Sequence, residues 1–279
     1  MKFQFLGTAA AEGIPGLFCN CPTCQRTRAA GGKNFRSRAQ AIINEDLLLD
    51  FGPDTYMHVC RFGLDLSKIR HLLITHAHDD HLTPTELAYR INGYAYLTGD
   101  KENDDSDFPQ LEMYISEQSL SFVPENLQKI EPLRIHVVKA FEPFSAGNYT
   151  VTPYTAMHAP GYGALFYSIS DGEKTVLYAH DTGLFPADTV AYLKQTEQRF
   201  DMVSLDCTGM KNPCGDHHMG IENAARMKAL LTEIGCAGEN TRWFVNHFSH
   251  NGECTHDEFV PLAAEYGFEV SYDGLTLEI

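Results

Sequence analysis

The amino-acid sequence predicts a mixed α/β sandwich, and three observations carry that expectation. Short runs rich in Val, Ile, Leu, Phe and Tyr recur along the chain, segments with helical apolar spacing fall between some of them, and most runs end at a polar or ligand-type residue. In layered α/β proteins the loops at strand ends form the ligand cleft, so these polar ends are expected to converge on one site.

Taken in order, KFQFLGT opens the chain as a first strand; its apolar stretch of about four residues is too short for the roughly 7–15-residue core of a signal peptide. QAIIN and DLLLDFG follow as strands, then HLLIT at 71–75 as a buried strand, with Thr83-Pro84-Thr85-Glu86 as a helix start beyond it. LEMYIS, RIHVVK, YTVTPYTAMH, ALFYSIS, KTVLYAHD, MVSLDC and RWFVNH complete the strand set. Helices are expected over 185–193, 220–235 and 256–266. The clearest is the second, where Ile221, Ala224, Ala225, Met227, Lys228 and Leu231 form an imperfect apolar stripe and Gly235 can cap the end. EVSYDGLTLEI reads as a closing hairpin turned at Asp273-Gly274.

No Pro/Gly/Ser linker divides the 279 residues, so a single domain, 1–279, is expected. No apolar run approaches the ~20 residues needed to cross a bilayer, which argues against membrane insertion and, with the short N-terminal run, leads to a cytoplasmic expectation. A formal charge of −16 argues against long nucleic acids as partners, because phosphate backbones are held by Lys and Arg surfaces. The acidic stretch from Asp100 to Asp107 is expected to be a solvated loop. A small molecule is the expected partner, and a homodimer is compatible with the reading.

The chemistry concentrates in His76-Ala77-His78-Asp79-Asp80-His81, which places three imidazoles and a carboxylate ligand in one strand-to-helix loop. Further histidines and a carboxylate stand after strands in TAMHAPG (155–161), YAHDTG (178–183) and FVNHFSH (244–250). Mixed nitrogen and carboxylate donors suit Zn²⁺, Mn²⁺ or Fe²⁺ better than Ca²⁺ or Mg²⁺. Cys19, Cys21 and Cys24 lie within six residues, a clustering that points to metal rather than to disulfides.

With Asp50 in LLLDFG, then THAHDDH, His158, Asp181 and His247, the chain resembles the metallo-β-lactamase superfamily, which implies a four-layer αβ/βα sandwich. The resemblance implies that His76, His78 and His158 hold one metal, that Asp80, His81 and His247 hold a second, and that Asp181 bridges them. Asp50 is then expected to orient the ligand loop through hydrogen bonds. Within the superfamily the chain is most similar to PhnP-type cyclic phosphodiesterases, on FCNCPTC with His250, on DHHMGIENA (216–224) and on the terminal GFEVSYDGLTLEI. That similarity implies a structural zinc on Cys19, Cys21, Cys24 and His250, and a catalytic His218, with Asp206 orienting active-site groups beside Asp80. Arg90 matches an arginine that would face the substrate phosphate. His217 is read as a cap or surface residue, and His58, His71, His136, His180 and His256 as structural.

The implied cofactors are two divalent ions (Zn or Mn) in the active site and one structural Zn. The implied reaction is opening of a small cyclic phosphodiester, a sugar or nucleotide cyclic phosphate, by a metal-bridging hydroxide, with His218 as acid or phosphoryl-binding group. Two alternatives follow from the same resemblances: hydrolysis of a lactone, thioester or lactam, and a PqqB-like role in cofactor biosynthesis.

Overall fold

The computed structural model describes residues 1–279 and contains two seven-stranded sheets packed face to face. The first holds β1 (Lys2–Gly7), β2 (Gln40–Ile43), β3 (Leu47–Leu49), β4 (His71–Leu73), β5 (Leu111–Ile115) and β6 (Leu133–Val137), with β14 (Thr276–Glu278) outside β1. The second holds β7 (Phe144–Ala146), β8 (Tyr149–Thr155), β9 (Leu165–Ser170), β10 (Thr175–Ala179), β11 (Met202–Asp206), β12 (Arg242–Asn246) and β13 (Glu269–Val270). Each sheet is antiparallel in one half and parallel in the other, with β3 to β6 and β10 to β13 forming the parallel halves.

Period-two alternation explains the layers. Phe3 and Phe5, Ala41 and Ile43, and Leu47 and Leu49 face inward and meet Tyr167, Ile169, Val176, Tyr178 and Phe244 of the other sheet. The alternate residues Leu6, Ile42, Leu48 and Leu72 face outward, where Val59 and Phe62 of α2 (Thr55–Phe62) pack on them. On the outer face of the second sheet lie α4 (Ala187–Thr196), α5 (Ile221–Glu233) and α6 (His256–Glu265). In α5 the residues Ile221, Ala224, Met227 and Leu231 are buried, as the apolar stripe requires, and Gly235 follows its end at φ 81°. The remaining helices are α1 (Pro22–Ala30) and the single turn α3 (Glu117–Leu120).

Three expectations need correction. The terminal segment is not a hairpin: β13 pairs with β12 and β14 pairs with β1, so the Asp273-Gly274 turn carries the chain from one sheet to the other. Alternation identifies strands without identifying their partners. The helix start at Thr83 leads into a 3₁₀ segment, Pro84–Arg90, rather than an α-helix. The expected strand set also omitted β7.

Candidate metal centre

The candidate ligands leave the C-terminal ends of β3, β4, β8, β10, β11 and β12, and the two sheets bring those ends together. Close backbone approach makes this possible: a Cβ at Gly52 would fall 2.0 Å from the Asp80 carbonyl oxygen, and one at Gly183 would fall 2.2 Å from that of Gly215.

Two groups of donors face each other. His76 Nε2 and His78 Nδ1 lie 2.8 Å apart, and His158 Nε2 lies 3.3 Å from His78 Nδ1. Ligand nitrogens around a tetrahedral zinc, at bond lengths near 2.0–2.1 Å, stand about 3.3 Å apart, so the trio is close to the size of a cation site. In the second group, His81 Nε2 is 3.1 Å from Asp80 Oδ2 and 2.7 Å from Asp181 Oδ2, and His247 Nε2 is 3.0 Å from Asp181 Oδ2. Asp181 also reaches the first group, its Oδ1 standing 3.6 Å from His158 Nε2.

The outer ring atoms select which nitrogen faces inward. His81 Nδ1–H donates to Asp50 Oδ2 at 2.7 Å, His247 Nδ1–H to Thr208 Oγ1 at 2.9 Å, His76 Nδ1–H to Thr75 Oγ1 at 3.1 Å, and His158 Nδ1–H to the His217 carbonyl at 3.2 Å. Each Nε2 is thereby left as a lone-pair donor. Asp50 accepts from Thr75 N and Oγ1 as well, at 2.8 and 3.0 Å, which anchors the start of the ligand loop.

The donor set fits divalent cations. His81 Nε2, Asp181 Oδ2 and His247 Nε2 are buried polar atoms without a hydrogen-bond partner, and all three point at one another. Electrostatics make the same demand: burial pushes the His81 imidazole down, but Asp80, Asp181 and Asp50 outweigh it and raise it well above its ordinary value. The pocket therefore calls for positive charge at the point where these atoms meet.

At the edge of the cluster, His218 Nδ1–H donates to Asp206 Oδ2 at 3.0 Å, and Asp206 is fully buried, accepting also from the amides of Asp181, Thr208 and Met219. Burial pushes the His218 imidazole down, while the charge and hydrogen bond of Asp206 prevail and bring it up to about 9. The His218 side chain keeps 28% exposure, so the pair stands between the buried cluster and solvent.

A separate group joins Cys19, Cys21, Cys24 and His250, whose donor atoms all lie within 4.8 Å of one another. His250 Nδ1 is 3.7 Å from Cys19 Sγ and 3.5 Å from Cys21 Sγ, and the amides of Gly16, Cys21 and Cys24 donate to the sulfurs. Burial raises the Cys21 thiol, yet the Cys24 amide and the other neighbouring groups prevail and pull it down to about 6, toward the thiolate a metal binds. Three sulfurs and one nitrogen suit a closed tetrahedral zinc.

Arg90 is not brought to the cluster. Its guanidinium donates to the carbonyls of Pro109 at 2.6 Å and Pro132 at 3.3 Å, and it lines an apolar cavity beside Leu48, Leu72 and Leu111 that contains none of the candidate ligands. The orienting threonines Thr75 and Thr208 carry no metal-binding signal of their own, although Thr75 adjoins His76 and Thr208 stands two residues after Asp206. His217 contributes its carbonyl rather than its ring. His180 is buried, 2.8 Å from Ser204 Oγ.

Two mixed sheets with metal-ligand donors gathered at the strand ends define a hydrolase scaffold of the metallo-β-lactamase type. A family described as the β-lactamase superfamily domain matches residues 46–235, and the chain belongs to that superfamily, whose members are mostly metal-dependent hydrolases. Ribonuclease Z of Thermosynechococcus vestitus is 29% identical over 178 residues, 62% of this chain; the chain spans only 38% of that relative's length. Among solved structures, a diphosphatase from the PhnP family superposes with a TM-score of 0.74 at 19% identity, covering 100% of this chain and 97% of the other. Zinc-bound PqqB from Methylobacterium extorquens superposes with a TM-score of 0.75 at 18% identity, covering 100% of both. These structural likenesses concern the fold.

Proposed function

We propose that the chain is a cytoplasmic dinuclear metallohydrolase that opens small cyclic phosphodiesters. The observation that carries this reading is the position of the His218–Asp206 pair directly beside the orphaned donor cluster, with His218 Nδ1 3.7 Å from Asp181 Oδ1. His76, His78 and His158 would hold one ion, Asp80, His81 and His247 the other, and the two oxygens of Asp181, which face different groups, would join them. When bound, such ions supply a water acidified toward neutral pH and positive charge for the phosphoryl oxygens.

The chain's own residues supply the rest. Asp50, Thr75 and Thr208 hold the imidazoles in the tautomers that leave Nε2 free. Asp206 keeps Nδ1 of His218 protonated and directs Nε2 away from itself. Nε2 of His218, turned away from Asp206, can then grip a phosphoryl oxygen or pass a proton to the departing alkoxide. Cys19, Cys21, Cys24 and His250 would hold a structural zinc. A small substrate agrees with the net charge of −16, which opposes a long phosphate backbone.

Metal quantification joined to a substrate panel tests the proposal. Three metals per chain are expected, two of them removed by mild chelation together with activity, and kcat/KM should be highest on a cyclic phosphodiester. Faster opening of a lactone or thioester than of any phosphodiester would overturn the substrate assignment, and two metals in total would remove the separate zinc.

A further inference from the structure

Beside the candidate metal centre stand two aromatic rings that hold none of its donors. Tyr162 meets the His78 ring edge-on at 4.6 Å between centroids, and its face stacks on Phe122 at 4.6 Å and an interplanar angle of 10°. Phe122 is 47% exposed, so the stack on Tyr162 does not close the ring off from solvent. Two steps of 4.6 Å keep Phe122 within about 9 Å of a candidate ligand ring.

The pair is built from both halves of the molecule and is held rigidly. Phe122 follows α3 in the segment after β5, and Tyr162 lies in the loop after β8 that carries His158. Ser119 fixes both: its Oγ donates to the Tyr162 carbonyl at 2.7 Å, and its own carbonyl accepts from Phe122 N at 3.1 Å. Gly163, at φ 60°, lets the His158 loop close on α3, since a Cβ there would fall 2.5 Å from Gln118 Oε1. Such fixing lowers the ordering cost when a flat group lands on the exposed ring.

Charge narrows what that group is. Across the loops 76–82, 157–163, 181–186, 207–219 and 247–250 the single Lys or Arg is Lys211, and its Nζ is 3.1 Å from Glu253. A substrate carrying further phosphates would find no free cation there, whereas a planar ring would find Phe122. We propose that Phe122 and Tyr162 form a stacking subsite for a nucleobase, so that the substrate class is a nucleoside cyclic phosphate rather than a bare sugar cyclic phosphate. This rests on the phosphodiesterase reading for its chemistry and on the ring geometry for its selectivity.

Binding and turnover separate the two. Calorimetric titration of the metal-loaded protein should show adenosine 3′-monophosphate binding about tenfold more tightly than ribose 5-phosphate, at the modest end of base stacking on an aromatic side chain. Phe122→Ala should erase that preference without changing the affinity for ribose 5-phosphate, and Phe122→Trp should keep it. In turnover, Phe122→Ala should raise KM about tenfold for adenosine 2′,3′-cyclic phosphate at unchanged kcat and leave glycerol 1,2-cyclic phosphate unaffected. No base preference in the wild type, or an equal loss on both substrates, overturns the subsite. A base preference in binding that Phe122→Ala removes supports the subsite even if neither ester is hydrolysed, a result that would count against the phosphodiesterase reading alone.

Discussion

Asp50, Asp181 and His247 lie at φ 65°, 49° and 63°, in the left-handed region where residues other than glycine are uncommon. Such conformations cost of order 1 kcal/mol or more each and persist where surrounding bonds over-determine them. Here they turn Asp181 and His247 into the donor cluster just after β10 and β12, and Asp50, just after β3, onto the outer nitrogen of His81. Asp50→Asn keeps the shape and removes the charge that steers His81, so metal affinity should fall about 10- to 100-fold, as is usual for such orienting partners, in competition with a calibrated chelator. Asp181→Ala should deplete both active-site ions, and elemental analysis would register the loss as two metals. His218→Ala should instead retain them while kcat drops by roughly 10²–10⁴ on a phosphodiester; full turnover would remove His218 from the mechanism. The proposed active-site ligands were legible because each is of metal-binding type and His76, His158, Asp181 and His247 follow strand-like runs. The backbone conformations and the roles of Thr75 and Thr208 were not, because tertiary contacts set them. Arg90 was misplaced for the complementary reason: a matching position says nothing about carbonyls that capture the side chain from elsewhere in the chain.

The segment after β12 ties the two candidate metal sites together. His247 enters the buried cluster, His250 enters the cysteine group, and between them Phe248 is fully buried and bonded to the end of β1, its amide donating to Thr8 O and its carbonyl accepting from Ala10 N, both at 2.9 Å. Cys24→Ser should therefore do two things. It should lower the thermal midpoint, by roughly 2–4 °C for each kcal/mol lost, and it should weaken metal retention at the distant cluster through movement of His247. A lowered midpoint with unchanged chelator resistance of the active-site ions would show the two sites to be independent. The helix that begins inside the cysteine group, α1, was invisible to periodicity because its buried residues are Thr23, Cys24 and Thr27, and its cap is the Cys21 side chain accepting from Cys24 N. The helix α2 escaped for a similar reason, burying Thr55 and His58 while Tyr56 is 72% exposed. By contrast α5 buries an apolar stripe and was read correctly.

At the scale of the whole molecule, the chain's last crossing between sheets is held by a network of buried polar groups. Asp273, in the turn between β13 and β14, accepts from Thr8 Oγ1 and Ser37 N, both at 2.7 Å; Ser37 Oγ is 2.8 Å from His58 Nε2, and His58 Nδ1 donates to Gln40. Arg36 joins the same region, bonding Ser271 O at 2.7 Å and His256 Nδ1 at 2.8 Å. The sequence showed alternation at the C-terminus but not this network, whose members are separated by up to 265 residues. Burial holds both imidazoles below their ordinary value of 6.5, at about 4; the nearby Arg61 adds to this for His58 against Asp54, and Arg36 and Lys33 do so for His256 against Asp257. A folded-state pKa below the unfolded value means that the native chain binds fewer protons, so this share of stability is complete above pH 6.5 and is lost as pH falls toward 4. For His58 the loss by pH 4.5 is on the order of 2–3 kcal/mol. His58→Asn keeps a donor toward Gln40 and cannot titrate, so it should be less stable than the wild type at pH 7.5 and close that gap by on the order of 2–3 kcal/mol at pH 4.5 in guanidinium unfolding. Release of metal in acid is common to both proteins and cancels in the comparison, so parallel stability curves would show that His58 contributes nothing to the acid sensitivity.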